Sequence, residues 1–314
     1  MKTTTSDSVT TMHPVTQEDK TAMTALRSMV EPNKGRLQGM AARGPFDQII
    51  GRTVAPKDVT FQQDALGGIS GWWGRAANAR PGTAILHLHG GWFNWGTAQA
   101  YRHLVGHIAA QAKVAAFTPD YRLAPEHPFP AAIEDAQAVY REMVNQGTQK
   151  IAITGDSAGG NLALVLLSLT AASVSSVPPV GAVALAPVTD LALTGKSWQG
   201  RAAADPYFVK SQGAGLAKAY LGSTSATNPL ASPLYADLKG LPPIRIHVGN
   251  DEVLLDDSIR FVEKAVASGV DARLDIWEGM PHGFLGSIGN FDAASRALEA
   301  VGTFLSERLH GGAS

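Results

Sequence analysis

Ser157 stands at the centre of the run Gly155-Asp156-Ser157-Ala158-Gly159-Gly160, between a strand-like apolar segment at 151–154 and a helix-like apolar segment at 161–169. A serine in a G-x-S-x-G frame at a strand-to-helix turn is held on a sharp elbow, so its hydroxyl projects clear of the backbone. Gly155 and Gly159 remove side chains that would collide as the chain turns, and Ala158 offers an amide N–H close to the serine oxygen. That is the environment of a nucleophile. A glycine-rich turn with a capping serine carries the same short pattern, and a serine hydroxyl is a weak nucleophile at neutral pH. The elbow therefore predicts chemistry only where a base and donors for a developing negative charge accompany it.

In doubly wound sheets functional groups gather at the carboxyl ends of strands, so each partner is expected just after a strand. Of the nine histidines, His282 is the best placed: it follows a strand at 273–277, in the turn Glu278-Gly279-Met280-Pro281-His282-Gly283-Phe284, ahead of the last helix. His247 alternates with Ile246 and Val248 inside a strand, which favours a structural place, and His13, His127 and His310 lie in terminal or proline-rich segments. For the carboxylate that would orient the imidazole, Asp251 follows the strand 244–248 through Gly249-Asn250, with Glu252 its nearest rival. Asp256 and Asp257 sit where a helix begins near Ser258, a capping position. The order Ser157, Asp251, His282 is the order that goes with a G-x-S-x-G elbow. For the oxyanion, the strand 84–88 runs into His89-Gly90-Gly91-Trp92, a glycine pair that can turn amides toward a bound oxygen beside that of Ala158.

The elements that must position these groups follow from the patterning. Short apolar runs read as strands near 57–64, 69–75, 83–89, 114–118, 150–155, 180–185, 243–249 and 272–277, about eight in all. Helix-period segments read at 97–111, 130–146, 158–171, 256–268 and 292–308. Alternating strands and helices predict an α/β fold, a largely parallel sheet covered on both faces. Two stretches break the alternation. Residues 1–48 read as one or two amphipathic helices behind a polar tail expected to be mobile over its first dozen residues, and 191–235 is a small-residue segment holding Trp198, Tyr207, Phe208 and Tyr220. Both are expected either as a lid over the sheet or as peripheral packing.

Composition bounds what the chain does. With 45% apolar residues among 314, a substantial core is expected, and a chain of this size buries roughly 75% of its unfolded surface. The 26 Lys+Arg against 27 Asp+Glu leave a formal charge of −1 with no block of one sign, which argues against a nucleic-acid track or an anionic membrane surface. No cysteine is present, so disulfides, thiolate catalysis and cysteine-ligated metal are excluded together. Residues 1–30 hold no apolar stretch of secretory length and no run approaches a membrane span, which points to a cytoplasmic protein.

Taken together, HGGW at 89–92, the segment Tyr121-Arg122-Leu123-Ala124-Pro125-Glu126-His127-Pro128-Phe129-Pro130, the GDSAGG elbow, Leu241-Pro242-Pro243, Asp251 in a G-x-D turn and His282 in HGF resemble the hormone-sensitive-lipase-like family of α/β-hydrolases. Bacterial carboxylesterases fill much of that family, and the resemblance covers roughly residues 50–305. It implies one domain over 1–314, an eight-stranded mostly parallel sheet, and a helical cap from about 1–48 and about 191–235. It implies Ser157 as nucleophile, His282 as general base and acid, Asp251 as its partner, and an oxyanion hole from amides at Gly90, Gly91 or Trp92 with Ala158. The implied activity is hydrolysis of short-chain carboxylic esters without a cofactor, lactones and acetylated carbohydrates presenting the same carbonyl to the same groups. It also implies a homodimer through the last strand and helix. Members usually carry a third glycine where this chain has Trp92, which narrows the space expected beside the oxyanion. Trp92, Phe93, Trp95 and Phe208 are the candidate pocket walls.

Two rival readings remain. His87 and His89 form an H-x-H pair and His103 and His107 are four apart on a helix-like segment, a pattern open to a metal-dependent hydrolase, although no acidic ligand lies nearby in sequence. A binding protein that keeps the fold without turnover is the other, and it would be expected to lack one of the three groups.

Overall fold

Every apolar run read as a strand pairs into one sheet. In the computed structural model, which describes residues 9–171, 173 and 177–311, the sheet has nine strands. They are β1 (Thr10–His13), β2 (Val59–Leu66), β3 (Ile69–Ala76), β4 (Thr83–Leu88), β5 (Ala115–Pro119), β6 (Lys150–Asp156), β7 (Ala182–Leu185), β8 (Ile244–Gly249) and β9 (Ala272–Trp277). Their spatial order is β1-β9-β8-β7-β6-β4-β5-β3-β2, antiparallel only where β3 meets β2 and β5. The helices are α1 (Gln17–Val30), α2 (Arg43–Ile50), α3 (Ala98–Ala112), α4 (Ala131–Asn145), α5 (Ala158–Ala171), α6 (Ser197–Gly200), α7 (Lys210–Leu221), α8 (Leu255–Ala267) and α9 (Asp292–His310).

The central strands are covered on both sides, and their sequences show it. In β4, Ile85 packs with α3 and α9 while its neighbours Leu86 and Leu88 pack with α4, α5 and α8, so an unbroken apolar run serves two cores. Thr97 starts α3 by accepting the Ala100 N–H at 3.2 Å, and Lys113 ends it in a left-handed conformation. No helix among the described residues is long and apolar enough to cross a membrane.

The ninth strand corrects two expectations. The sheet is not eight-stranded, and the tail is not mobile throughout its first dozen residues: 1–8 lie outside the described residues, but Thr10–His13 pairs in parallel with β9. A four-residue polar strand carries no readable alternation. Contacts made far along the chain hold it, with the His13 ring stacked on Trp277 at 3.9 Å and its Nε2 at 2.7 Å from Asp275.

The two stretches that broke the alternation lie against one another. The Gly35 N–H donates to the Tyr207 carbonyl at 2.9 Å, Gln212 Nε2 to the Leu37 carbonyl at 2.7 Å, and the Lys34 ammonium to the carbonyls of Ala202 and Asp205. The second stretch is also bolted to the start of α8. Asp256 accepts the Ser197 N–H at 3.0 Å, and Asp257 accepts those of Thr189 and Asp190 at 2.8 and 3.0 Å. These two carboxylates thus join the segment after β7 to α8, and neither caps that helix as expected: its N-cap is Leu254, without a side-chain hydrogen bond.

Burial, with Asp190 nearby, pushes the Asp257 carboxyl up to about 8. The folded state therefore holds a proton that the unfolded chain releases near 3.8, and this contribution to stability is full below that value and is lost as pH rises toward 8. Replacing Asp257 by Asn keeps the uncharged shape. The unfolding free energy of D257N relative to the parent should climb steadily between pH 4 and pH 8, a gain on the order of a few kcal/mol; a pH-independent offset in thermal or denaturant unfolding would contradict it.

Candidate active site

The elbow forms as its glycines require. Ser157 has φ 53°, in the left-handed region, between the end of β6 and the first turn of α5. A Cβ on Gly159 would overlap the Leu88 carbonyl and one on Gly155 the Gly159 carbonyl, so β6, β4 and α5 approach as closely as they do only because both positions lack side chains. The Ser157 N–H donates to the Leu185 carbonyl at 2.7 Å, which ties the elbow to β7. Ser157 is only 4% exposed.

His282 reaches the elbow from the loop after β9. A small cavity of about 40 Å³ is lined by Ser157 and His282 together, with Asp156, Tyr101, Leu185 and Phe284 among its other walls. The imidazole Nδ1 lies 2.6 Å from Glu252 Oε2. Glu252 is fully buried, and its other oxygen accepts the Gly249 N–H at 2.7 Å. Burial pushes this carboxyl up, against the pull of His282 and the Gly249 amide. Burial alone would lower the imidazole, but the Glu252 carboxylate, aided by Asp205 and Asp156, holds His282 above its ordinary 6.5.

Asp251 is therefore not the carboxylate beside His282. Its Oδ2 accepts from Arg27 of α1 at 3.0 Å, and its backbone N–H donates to the Met280 carbonyl at 3.0 Å, so its side chain leaves the loop toward the N-terminal helix while that of Glu252 turns inward. Sequence position could not separate two adjacent acids in one turn. The partner that decides between them lies 224 residues away.

The oxyanion loop is corrected at one position. The Gly90 N–H donates to Asp156 Oδ1 at 2.9 Å and is occupied, while Asp156 Oδ2 accepts from the Tyr101 hydroxyl at 3.0 Å. Gly91, Trp92 and Ala158 are the remaining amides of the expected set. Trp92 and Phe93 take φ 55° and 61°, conformations that glycine adopts without strain. Tyr121, the first residue of the segment 121–130 that carries part of the resemblance, buttresses this loop: its hydroxyl donates to the His89 carbonyl at 2.7 Å and its ring stacks on His89 at 4.2 Å. Asp156 is the neighbour of the candidate site that sequence reasoning missed, its place in the elbow being the variable position of the frame.

The aromatic walls are also redistributed. None of Trp92, Phe93, Trp95 and Phe208 lines the cavity beside Ser157. Phe93 stacks on Tyr220 at 3.7 Å, and the Trp95 indole N–H donates to the Gly39 carbonyl at 2.8 Å, so both are packing residues. Phe208 meets the His282 imidazole edge-on at 5.1 Å, and Trp92 meets Phe208 at 5.8 Å. These two border the site through His282 rather than through the cavity.

The histidines open to a metal reading are spoken for separately. His87 Nδ1 pairs with Thr154 Oγ1, His89 Nδ1 with the Gly90 carbonyl, and His103 and His107 with the carbonyls of Thr53 and Val54. Among the described residues no three His, Asp or Glu side chains gather as a metal site. His247 is buried in β8, held down to about 4 by burial, which fits the structural place expected of it.

A sequence profile described as the alpha/beta hydrolase fold matches residues 85–286. An acetyl-hydrolase of Streptomyces hygroscopicus is 36% identical over 255 residues, covering 80% of this chain and 83% of its own, and an esterase of Acinetobacter venetianus is 34% identical, covering 87% and 90%. Among solved structures, an esterase/lipase from an uncultured bacterium superposes with a TM-score of 0.85 at 38% identity, and an esterase from the bacterial hormone-sensitive lipase family with 0.87 at 34%. Each covers 92% of this chain and 98% of its own.

The pairing of His282 with Glu252 can be read without any substrate. In an NMR titration of the imidazole, the midpoint of His282 should lie above 6.5, fall in Glu252→Gln and stay in place in Asp251→Asn. A midpoint that moves with Asp251 instead would reject the assignment.

Proposed function

The chain belongs to the α/β-hydrolase-fold family, in its hormone-sensitive-lipase-like branch, and we propose that it hydrolyses short-chain carboxylic esters through Ser157, His282 and Glu252. The observation that carries this reading is the His282 imidazole, which shares a cavity with the elbow serine on one side and holds a buried carboxylate at 2.6 Å on the other.

In the proposed reaction the Ser157 oxygen bonds to the ester carbonyl carbon while its proton passes to His282. The carbonyl oxygen becomes an oxyanion facing the amides of Gly91 or Trp92 and Ala158, each donor contributing about 2.7–4 kcal/mol to the transition state. The carbon–alkoxy bond then breaks, and the alkoxide leaves with the proton from His282. Water, giving a proton to the same imidazole, bonds to the acyl carbon; the bond from that carbon to the Ser157 oxygen then breaks, the serine oxygen takes the proton back from His282, and the acid is released. Glu252 fixes the tautomer in which Nδ1 carries hydrogen and stabilises the imidazolium formed in each half. Asp156 acts on the oxyanion loop by holding the Gly90 amide, which leaves the next amides to face the substrate.

The preference for short acyl groups is supported by the cavity next to Ser157. At about 40 Å³ it has room for roughly three waters, on the scale of an acetyl or propionyl group. The two segments at 1–48 and 191–235, joined by hydrogen bonds, serve in this reading as the cap.

Assays with p-nitrophenyl esters test the reading. Ser157→Ala should abolish turnover; Glu252→Gln should lose on the order of 10²–10⁴-fold in kcat, and Asp251→Asn less than about tenfold. Equal losses at the two acids, or turnover persisting without Ser157, would defeat it. Since His282 must be neutral to accept a proton, kcat/KM should fall on the acid side with a midpoint above 6.5. Along an acyl series, rates should peak at two to four carbons, and a maximum at eight or more would contradict the cavity argument.

A further inference from the structure

We propose that Asp205, on the segment between α6 and α7, is a positioning residue that holds Glu252 and Phe208 against His282; this rests on the triad reading above. Asp205 is 1% exposed, and its carboxylate accepts three hydrogen bonds, all from backbone amides. Its Oδ1 accepts the N–H groups of Tyr207 and Phe208 at 2.7 and 2.9 Å, and its Oδ2 accepts that of Val253 at 2.9 Å. Val253 immediately follows Glu252, and Phe208 carries the ring that meets His282 edge-on. One carboxylate thus pins both the acid behind the imidazole and the aromatic wall in front of it.

The geometry is reinforced from the same segment. Ser197 Oγ donates to the Val253 carbonyl, Arg201 to Asn250 Oδ1 at 2.8 Å, and Arg27 to both the Ala204 carbonyl and Asp251. Residues 250, 251 and 253 are each held from outside the sheet, while Glu252 alone turns inward. Asp205 differs from these neighbours in carrying its charge close to the imidazole. The charged groups facing His282 are Glu252 from the turn after β8, Asp205 from the overlying segment and Asp156 from the elbow, all negative. Around Asp205 itself, Lys34 donates to its backbone carbonyl and not to its carboxylate, so the side-chain charge is answered by amides alone.

Asp205→Asn removes the charge and leaves at least one of the three amides without an acceptor, since an amide nitrogen cannot accept. We expect kcat for p-nitrophenyl acetate to fall ten- to a hundredfold and the acid limb of kcat/KM to move to lower pH. A residue that merely stabilised the fold would lower the active fraction without moving that limb, so an unmoved limb overturns the proposal. Asp205→Glu returns the charge but misplaces it: the limb should move back toward its parental position while kcat stays low. Should D205N fail to fold, D205E still decides, because parental kcat there would show that the Val253 bond does not matter. Ser157→Ala and Glu252→Gln run alongside separate the two claims. If they lose turnover and D205N does not, only the role of Asp205 falls; if Ser157→Ala keeps turnover, the triad reading itself falls.

Discussion

A carboxylate removed from water must find its hydrogen bonds inside the protein, and at Glu252 that requirement organises the site. One oxygen takes the Gly249 amide at the end of β8, the other the His282 imidazole after β9, so two strand ends are brought to a common register by a single side chain. Breaking either bond would strand a buried acid, a cost of several kcal/mol for a charged group. The pair is thus as much a fastening between β8 and β9 as a part of the chemistry. It also explains why the loop around it is tied from so many directions: a carboxylate this deep tolerates little drift.

The elbow imposes the complementary constraint, and it is steric. β4, β6 and α5 converge where two glycines leave room, and Ser157 stays in a left-handed conformation because the Leu185 carbonyl holds its amide. Trp92 and Phe93 carry similar backbone strain without the excuse of being glycine. Their burial against Phe208, Trp198 and Tyr220 supplies the packing that offsets it.

Ser157 and His282 were legible in sequence because each lies inside a short local pattern whose flanks say which end of a strand it occupies. The other eight strands and the five principal helices were legible for the same reason. Glu252 was weighed and passed over because two acids in one turn differ only in which way they point, and Arg27 on a distant helix decides that. Two of the four candidate pocket walls pack away from the site, because aromatic residues close to a motif can equally fill the core beneath it, as Phe93 and Trp95 do. β1 was invisible because four residues without apolar alternation become a strand only when β9 offers them an edge.

That last strand bears on assembly. The resemblance led to an association between copies through the terminal strand of the sheet and the helix behind it, yet the outer amides and carbonyls of β9 are already engaged by Thr10–His13. A neighbour approaching from that side meets a polar ribbon pinned by a histidine–aspartate contact and a stacked indole, not β9 itself. The chain's own beginning acts as a selvage, so whatever joins two molecules on this flank must first come to terms with it.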